Sequence, residues 1–323
     1  MPDVLISENI AGAEMDVLRT NFDCTFAPEL WKNPDELFSI IGNYKALMVR
    51  NQTQVTRELI AAATNLQIIG RAGVGLDNVD LDAASERGIV VALTPEQNAN
   101  SVAELAIGLI IALARKIPAA DRDTKSGGWK RQHFTGIEIL GKTLGVVGFG
   151  RIGVSTANKA RALGMDIVAY DPFVDAESLK AMEARATMTS LENVLQQADF
   201  ISCHLPSIKS TLNLFDESKF ALMKPSAFFI NTSRGEVVNE EDLIRALQEN
   251  KIAGAALDVR AQEPPENSPL AEMENVILLP HIGAFTKEGQ IRVVTAICKD
   301  VAAVLKGEGA KNFANFSKPK SGF

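Results

Sequence analysis

The sequence predicts an α/β protein of two doubly wound domains, each a parallel sheet covered by helices on both faces. Three observations carry this. Short β-branched runs recur along the 323 residues, and segments of helical period separate them. The runs are apolar almost throughout instead of alternating, as strands buried on both faces require. They also fall into two series, and a chain of this length can build two cores.

The first series is "VLI" (Val4–Ile6), "ALMV" (Ala46–Val49), "LQII" (Leu66–Ile69) and "IVVAL" (Ile89–Leu93), with amphipathic stretches such as "TRELIAAATN" and "LDAASERG" between them. A long helix follows around Asn100–Ile117. Its apolar set Val102, Leu105, Ala106, Leu109, Ile110 and Leu113 keeps the i, i+3, i+4 rule, and Ile107 and Ile111 widen the stripe. Both sides of this helix are expected to be covered, by a second domain or a second subunit. The second series is "TLGVVG", "DIVAY", "FISCHL", "AFFINT", "GAALDV" and "VILLP". A last helical pattern runs from Thr286 to about Lys306, with Ile291, Val294, Ile297, Cys298, Val301 and Leu305 on one face. The polar tail after Gly307 reads as a surface segment.

Composition narrows the function classes. With 46% hydrophobic and 23% charged residues the chain reads as a soluble globular protein, and a net charge of −7 argues against nucleic acid or an anionic membrane as partner. Cys24, Cys203 and Cys298 are far apart with no CxxC pair, so neither a disulfide framework nor a metal site is expected, and a cytoplasmic location is. The start "MPDVLISENI" does not read as a signal peptide, and the apolar window "SVAELAIGLIIALA" is too short to span a bilayer.

Two phosphate-binding patterns overlap in "GIEILGKTLGVVGFGRIG". The mononucleotide pattern ending in Gly141-Lys142-Thr143 precedes a β run, whereas such a loop must open a helix, so it is rejected. Gly148-Phe149-Gly150-Arg151-Ile152-Gly153 has the required context: a strand before it and the helical "VSTANKARALG" after it. Gly148 permits the turn, Gly150 admits the pyrophosphate, and Gly153 lets the helix pack close. The next strand ends at Asp171, placed to accept hydrogen bonds from the ribose hydroxyls, which favours NAD over NADP. Upstream, "GRAGVGLDNVD" lacks the third glycine, Asn78 standing in its place, and reads as a substrate loop.

Of three histidines, His133 and His204 read as surface or structural. His281 follows "VILLP", Arg234 follows "FFINTS", and Glu263 lies beyond "AALDV", so three successive strands each deliver one charged or titratable group to the same rim. Imidazole suits proton transfer coupled to hydride loss, a carboxylate orients it, and a guanidinium grips a substrate carboxylate.

These stretches, with "VRNQTQV", "NTSRGEVVNEEDLIRAL", "GAALDV…EPP" and "PHIGAFTKE", resemble the D-isomer-specific 2-hydroxyacid dehydrogenases over nearly the whole chain, most of all the short-form branch acting on 3-phosphoglycerate. The resemblance implies a flavodoxin-like substrate domain (1–99 plus 286–323) and a Rossmann NAD-binding domain (100–285). It implies that Arg234 binds substrate, that His281 is the acid/base paired with Glu263, and that Val74 and Gly75 hold the carboxylate by their amides. Arg151 and Ile152 would lie along the pyrophosphate, with Thr232, Ser233, Asp258, Gly283 and Ala284 towards the nicotinamide. The resemblance further implies a homodimer formed through the cofactor domain, with the helix near Val102–Leu113 at the interface, and a C-terminal helix that returns to the substrate domain. Arg50 matches a position near the substrate's distal end, and Arg131 could supply a second cation. Two residues depart from the pattern: Arg260 stands where an aromatic is usual, and Phe285 where a small hydroxylated residue is usual. The substrate is thus expected to be a small anionic 2-hydroxy or 2-oxo acid. Phosphoglycerate leads, with sulfolactate or a dinucleotide-sensing role as alternatives.

Overall fold

Two separate parallel sheets take up the apolar runs in the computed structural model, which describes residues 2–95 and 97–316. They belong to two units, Met1–Asn98 with Phe285–Phe323, and Ala99–Ala284.

In the first unit the strands are β1 (Val4–Ile6), β2 (Cys24–Phe26), β3 (Ala46–Val49), β4 (Ile68–Arg71) and β5 (Val90–Ala92). Their order is β2-β1-β3-β4-β5, all parallel, with Val4 opposite Ala46, Ala46 opposite Ile68 and Ile68 opposite Val90. This is the flavodoxin order. Side chains alternate across the sheet. Val4, Ile6, Met48 and Ile68 therefore join one core with Ile297 and Val301, while Leu5, Leu47 and Ile69 join another with Leu37, Ile60 and Ala84. The short helices Pro34–Ile40, Arg57–Ala62 and Leu81–Glu86 start where Asn33, Thr56 and Asp80 accept an amide hydrogen of the first turn. The last helix, Lys287–Leu305, is capped by Thr286 and packs against β4, so it belongs to this unit. Each fully buried aliphatic side chain along it contributes about 1.5–3 kcal/mol.

The second unit has β6 (Thr143–Val147), β7 (Asp166–Tyr170), β8 (Thr187–Met188), β9 (Phe200–Cys203), β10 (Phe228–Asn231), β11 (Gly254–Leu257) and β12 (Val276–Leu278). Their order is β12-β11-β10-β9-β6-β7-β8, again all parallel. Strand order reverses between β6 and β9, the switch point where such sheets bind ligands. One face is filled by Leu195, Phe215, Phe220 and Phe229, the other by Phe149, Ala157, Phe200 and Ile230.

The structure departs from the expected elements at identifiable places. Edge strands β2 and β8 carry no apolar run, because each is only partly buried and shows no hydrophobic signal. The long helix spans Ala99–Ala114 and stops three residues early: Lys116 adopts a left-handed conformation (φ 51°), and Ile117–Lys125 forms a separate helix. No helix among the described residues is long and apolar enough to cross a membrane.

Candidate active site

Because every strand of the second unit is parallel, the chain leaves all of them at one sheet edge. The turn after β6 is shaped by glycine. Gly148 sits at φ 93°, and a Cβ there would approach the His204 carbonyl oxygen to 2.7 Å. A Cβ on Gly153 would lie 2.2 Å from the Gly148 oxygen, so helix Arg151–Ala162 presses directly on the turn. Gly150 is the extended N-cap of that helix. It offers no capping side chain, and nothing lies within 4 Å of where its Cβ would be. Arg151 and Ile152 form the first turn, where amide groups and the helix dipole favour an anion. Gly141-Lys142 forms a turn into β6 and opens no helix.

Asp171 follows β7 and reaches back to this loop. Its Oδ2 accepts the Phe149 N–H at 2.8 Å, and its Oδ1 accepts the Phe173 N–H at 2.9 Å. The carboxylate therefore braces the loop from the neighbouring strand.

At the end of β10, Ser233 Oγ donates to Asn231 Oδ1 at 2.8 Å, and the Thr232 hydroxyl is buried with no hydrogen-bond partner among the described residues. The Asn231 amide nitrogen donates to the Arg234 carbonyl at 2.9 Å, and Arg234 Nη1 donates to the Ser233 carbonyl at 2.7 Å. Beyond β11 and β12, Glu263 Oε2 and His281 Nδ1 lie 2.7 Å apart. Glu263 Oε1 accepts the Arg260 N–H at 3.0 Å. Burial opposes ionisation of Glu263, but the hydrogen bonds from His281 and the Arg260 amide, with the charges of His281 and Arg234, outweigh it and hold the carboxyl below its usual range.

Asp258 is the clamp on the histidine turn. Only 1% exposed, it accepts the His281 N–H on its carbonyl, the Ile282 N–H on Oδ1 and the Gly283 N–H on Oδ2, each at 2.8 Å. These bonds hold His281 in the left-handed region (φ 55°), which a β-carbon-bearing residue enters only when its surroundings impose it. Gly283 is packed on Asp258, and Ala284 ends the unit.

Arg50, Val74 and Gly75 lie in the first unit. Arg50 Nε donates to the Asn9 carbonyl at 3.0 Å and Nη2 to Gln290 Oε1 at 2.5 Å, while its guanidinium lies 5.9 Å from the Phe285 ring centroid. Val74 and Gly75 occupy the half-buried turn after β4. Asn78 donates to the carbonyls of Thr53 (2.7 Å) and Arg50 (3.1 Å), tying that turn to the Arg50 loop. Arg131 is exposed in a turn of the second unit.

Three acids hold these groups in place, and two of them, Glu8 and Glu240, are not singled out by the sequence reading. Glu8, 1% exposed, accepts the N–H groups of Arg50, Gln52 and Thr53. Glu240 pairs with the buried Arg260 guanidinium. Asp258 acts through backbone amides instead of facing outward alone. A weak signal existed for Glu8, an acid just past the end of a buried strand. Glu240 looks like any acidic residue opening a helix.

Residues 107–283 match the family model for the D-isomer specific 2-hydroxyacid dehydrogenase NAD binding domain. The chain is 42% identical over 97% of its length to a D-3-phosphoglycerate dehydrogenase of Archaeoglobus fulgidus, of which the match covers 59%. It thus spans about three-fifths of the length of that relative. Among solved structures, the TT0316 protein of Thermus thermophilus superposes with a TM-score of 0.90 at 31% identity, covering 97% of this chain and 99% of that one. A glyoxylate reductase of Paecilomyes thermophila superposes with a TM-score of 0.88 at 31% identity, covering 98% and 100%. Fold, glycine loop and sequence agree, and the chain is a member of the D-isomer-specific 2-hydroxyacid dehydrogenase family.

Proposed function

We propose that this chain is an NAD-dependent dehydrogenase of small anionic D-2-hydroxy acids, with D-3-phosphoglycerate as substrate. The observation that carries the reading is the 2.7 Å pair of Glu263 and His281 on the sheet edge that also bears the Gly148–Gly153 loop. The loop fits a dinucleotide: the helix start at Gly150 has no side-chain cap and open space beside it, and the buried Thr232 hydroxyl lacks a partner among the described residues. NAD bound there would accept the hydride from C2 of the acid or return it. Gly150, Arg151 and Ile152 would hold its pyrophosphate, and the remaining lone pairs of Asp171 its ribose hydroxyls. Thr232, Ser233, Asp258, Gly283 and Ala284 would line the nicotinamide side.

The ionised Glu263 accepts from Nδ1–H and so leaves Nε2 of His281 to take the hydroxyl proton during oxidation or deliver it during reduction. Arg234 binds the carboxylate and the C2 oxygen, stabilising the charge that develops there. Val74 and Gly75 amides hold the carboxylate, Arg50 and Arg131 supply cations for a distal anionic group, and residues 1–99 with 286–323 form the substrate-binding domain. The names of relatives such as the Archaeoglobus enzyme support the phosphoglycerate assignment. We also place a homodimer contact on the Ala99–Ala114 helix, whose Glu104 and Gly108 face outward.

The test is NADH formation by purified protein with NAD and a panel including D-3-phosphoglycerate and sulfolactate. The reading expects the highest kcat/KM with phosphoglycerate. A preference for sulfolactate would reassign the substrate. Tight dinucleotide binding with no NADH from any acid would replace the enzyme by a sensor. Light scattering after size exclusion tests the dimer.

A further inference from the structure

Arg260 lies just past β11, and only 7% of its side chain is exposed. Its guanidinium is held there by Glu240, the first residue of helix Glu240–Gln248. Nε donates to Oε2 at 2.9 Å and Nη2 donates to Oε1, the two-point fit of guanidinium to carboxylate. Being in the first turn, Glu240 is also stabilised by the positive end of its own helix.

The backbone of residue 260 connects this pair to the candidate acid/base. Its N–H donates to Glu263 Oε1 at 3.0 Å, which leaves Oε2 facing His281 Nδ1 at 2.7 Å. On the opposite side Gly235, the residue after Arg234, is so close that a Cβ there would lie 1.9 Å from the Arg260 carbonyl carbon. The residue-260 backbone is thus held by an ion pair at its side chain, by Glu263 at its amide and by the Arg234 segment at its carbonyl.

We propose that the Arg260–Glu240 pair is a positioning device, fixing the residue-260 amide that orients Glu263 on His281. This deepens the dehydrogenase reading and rests on it. A pair this buried adds little net stability over an apolar pair of equal volume, because desolvation offsets the Coulomb attraction. What it supplies is direction. Without it the residue-260 amide can drift, Glu263 loses the partner of Oε1, and the carboxylate is free to rotate away from the imidazole. Glu263 also feels the charge of Arg234, and Asp258 holds the amides of the histidine turn, but neither takes the place of the residue-260 amide on Oε1.

The experiment compares Arg260→Met, Arg260→Lys and Glu240→Gln with the parent protein, each checked for fold by circular dichroism and for NAD affinity by fluorescence titration. Kinetically, Arg260→Met should lower kcat roughly tenfold with little change in KM for the acid, since Arg234 is untouched. Arg260→Lys, able to keep one bond to Glu240, should recover part of the loss. In a Glu263→Gln background, adding Arg260→Met should change kcat by less than about twofold, because the group being positioned is already lost. A non-kinetic readout is the low-field proton resonance of the His281 Nδ1–H bound to Glu263. It should be present in the parent and lost or moved upfield in Arg260→Met and Glu240→Gln. Parental kcat and an unmoved resonance in both variants would overturn the positioning role while leaving the dehydrogenase reading intact. If the parent turns over no acid, the dehydrogenase reading fails and the resonance alone decides the inference.

Discussion

Acidification should destabilise this protein through a histidine outside the proposed chemistry. His204 follows β9; its Nε2 lies 2.9 Å from Ser202 Oγ, and its Nδ1 is buried with no partner among the described residues. Burial pulls its pKa from an ordinary 6.5 down to about 4. The folded state therefore keeps the ring neutral where the unfolded chain would protonate it. Its stabilising contribution is complete above pH 6.5 and is lost as pH falls towards 4. Between pH 7 and pH 5 this linkage removes about 2 kcal/mol at most, the upper value because the residue keeps some exposed surface. Carboxylates titrate in the same range, so the measurement must be differential. Urea unfolding followed by circular dichroism at pH 7, 6 and 5 would compare the parent with His204→Gln, which does not titrate there. The parent should lose more than the variant, by up to about 2 kcal/mol. Equal losses would show that the ring is already protonated in the folded state or is reached by water, and the burial argument would be refuted.

Other outcomes follow from the same geometry. His281→Ala should lower kcat at least ~100-fold while NAD affinity by fluorescence titration stays near parental; preserved turnover would remove its assigned role. Asp171→Ala should shift the NAD-to-NADP preference by at least ~1 kcal/mol. It should also weaken NAD itself, because Oδ2 braces the Phe149 amide of the glycine loop; unchanged affinities for both dinucleotides would contradict this. Gly235→Ala should cost about 1–3 kcal/mol in urea unfolding, since its Cβ cannot fit 1.9 Å from the Arg260 carbonyl carbon without moving that backbone. A neutral result would mean the contact relaxes freely.

Much of this was legible in one dimension, and the reason is that it is local. Strands buried on both faces need apolar runs, so most strands can be read directly, from Val4–Ile6 to Gly254–Leu257, and the partly buried edge strand Val276–Leu278 is read because it keeps such a run. The two glycine patterns separate on what comes next in the chain: Thr143 opens a strand, whereas Arg151 opens a helix. The missed strands are not local in this sense: Cys24–Phe26 and Thr187–Met188 are short edge strands whose pairing with residues about 20 positions away, and not their side chains, makes them strands.

What only the tertiary structure decided is which distant residues support one another. Arg234, Glu263 and His281 were readable as strand-end residues, but not that Glu263 meets Nδ1 of His281 or that Asp258 holds the histidine turn in a left-handed conformation. Nothing near Arg260 in the chain announces Glu240 as its partner, and nothing near Arg50 announces Glu8. Periodicity and turn chemistry act over a few residues, whereas these partnerships are set by sheet order, which brings strand ends together regardless of their separation along the chain.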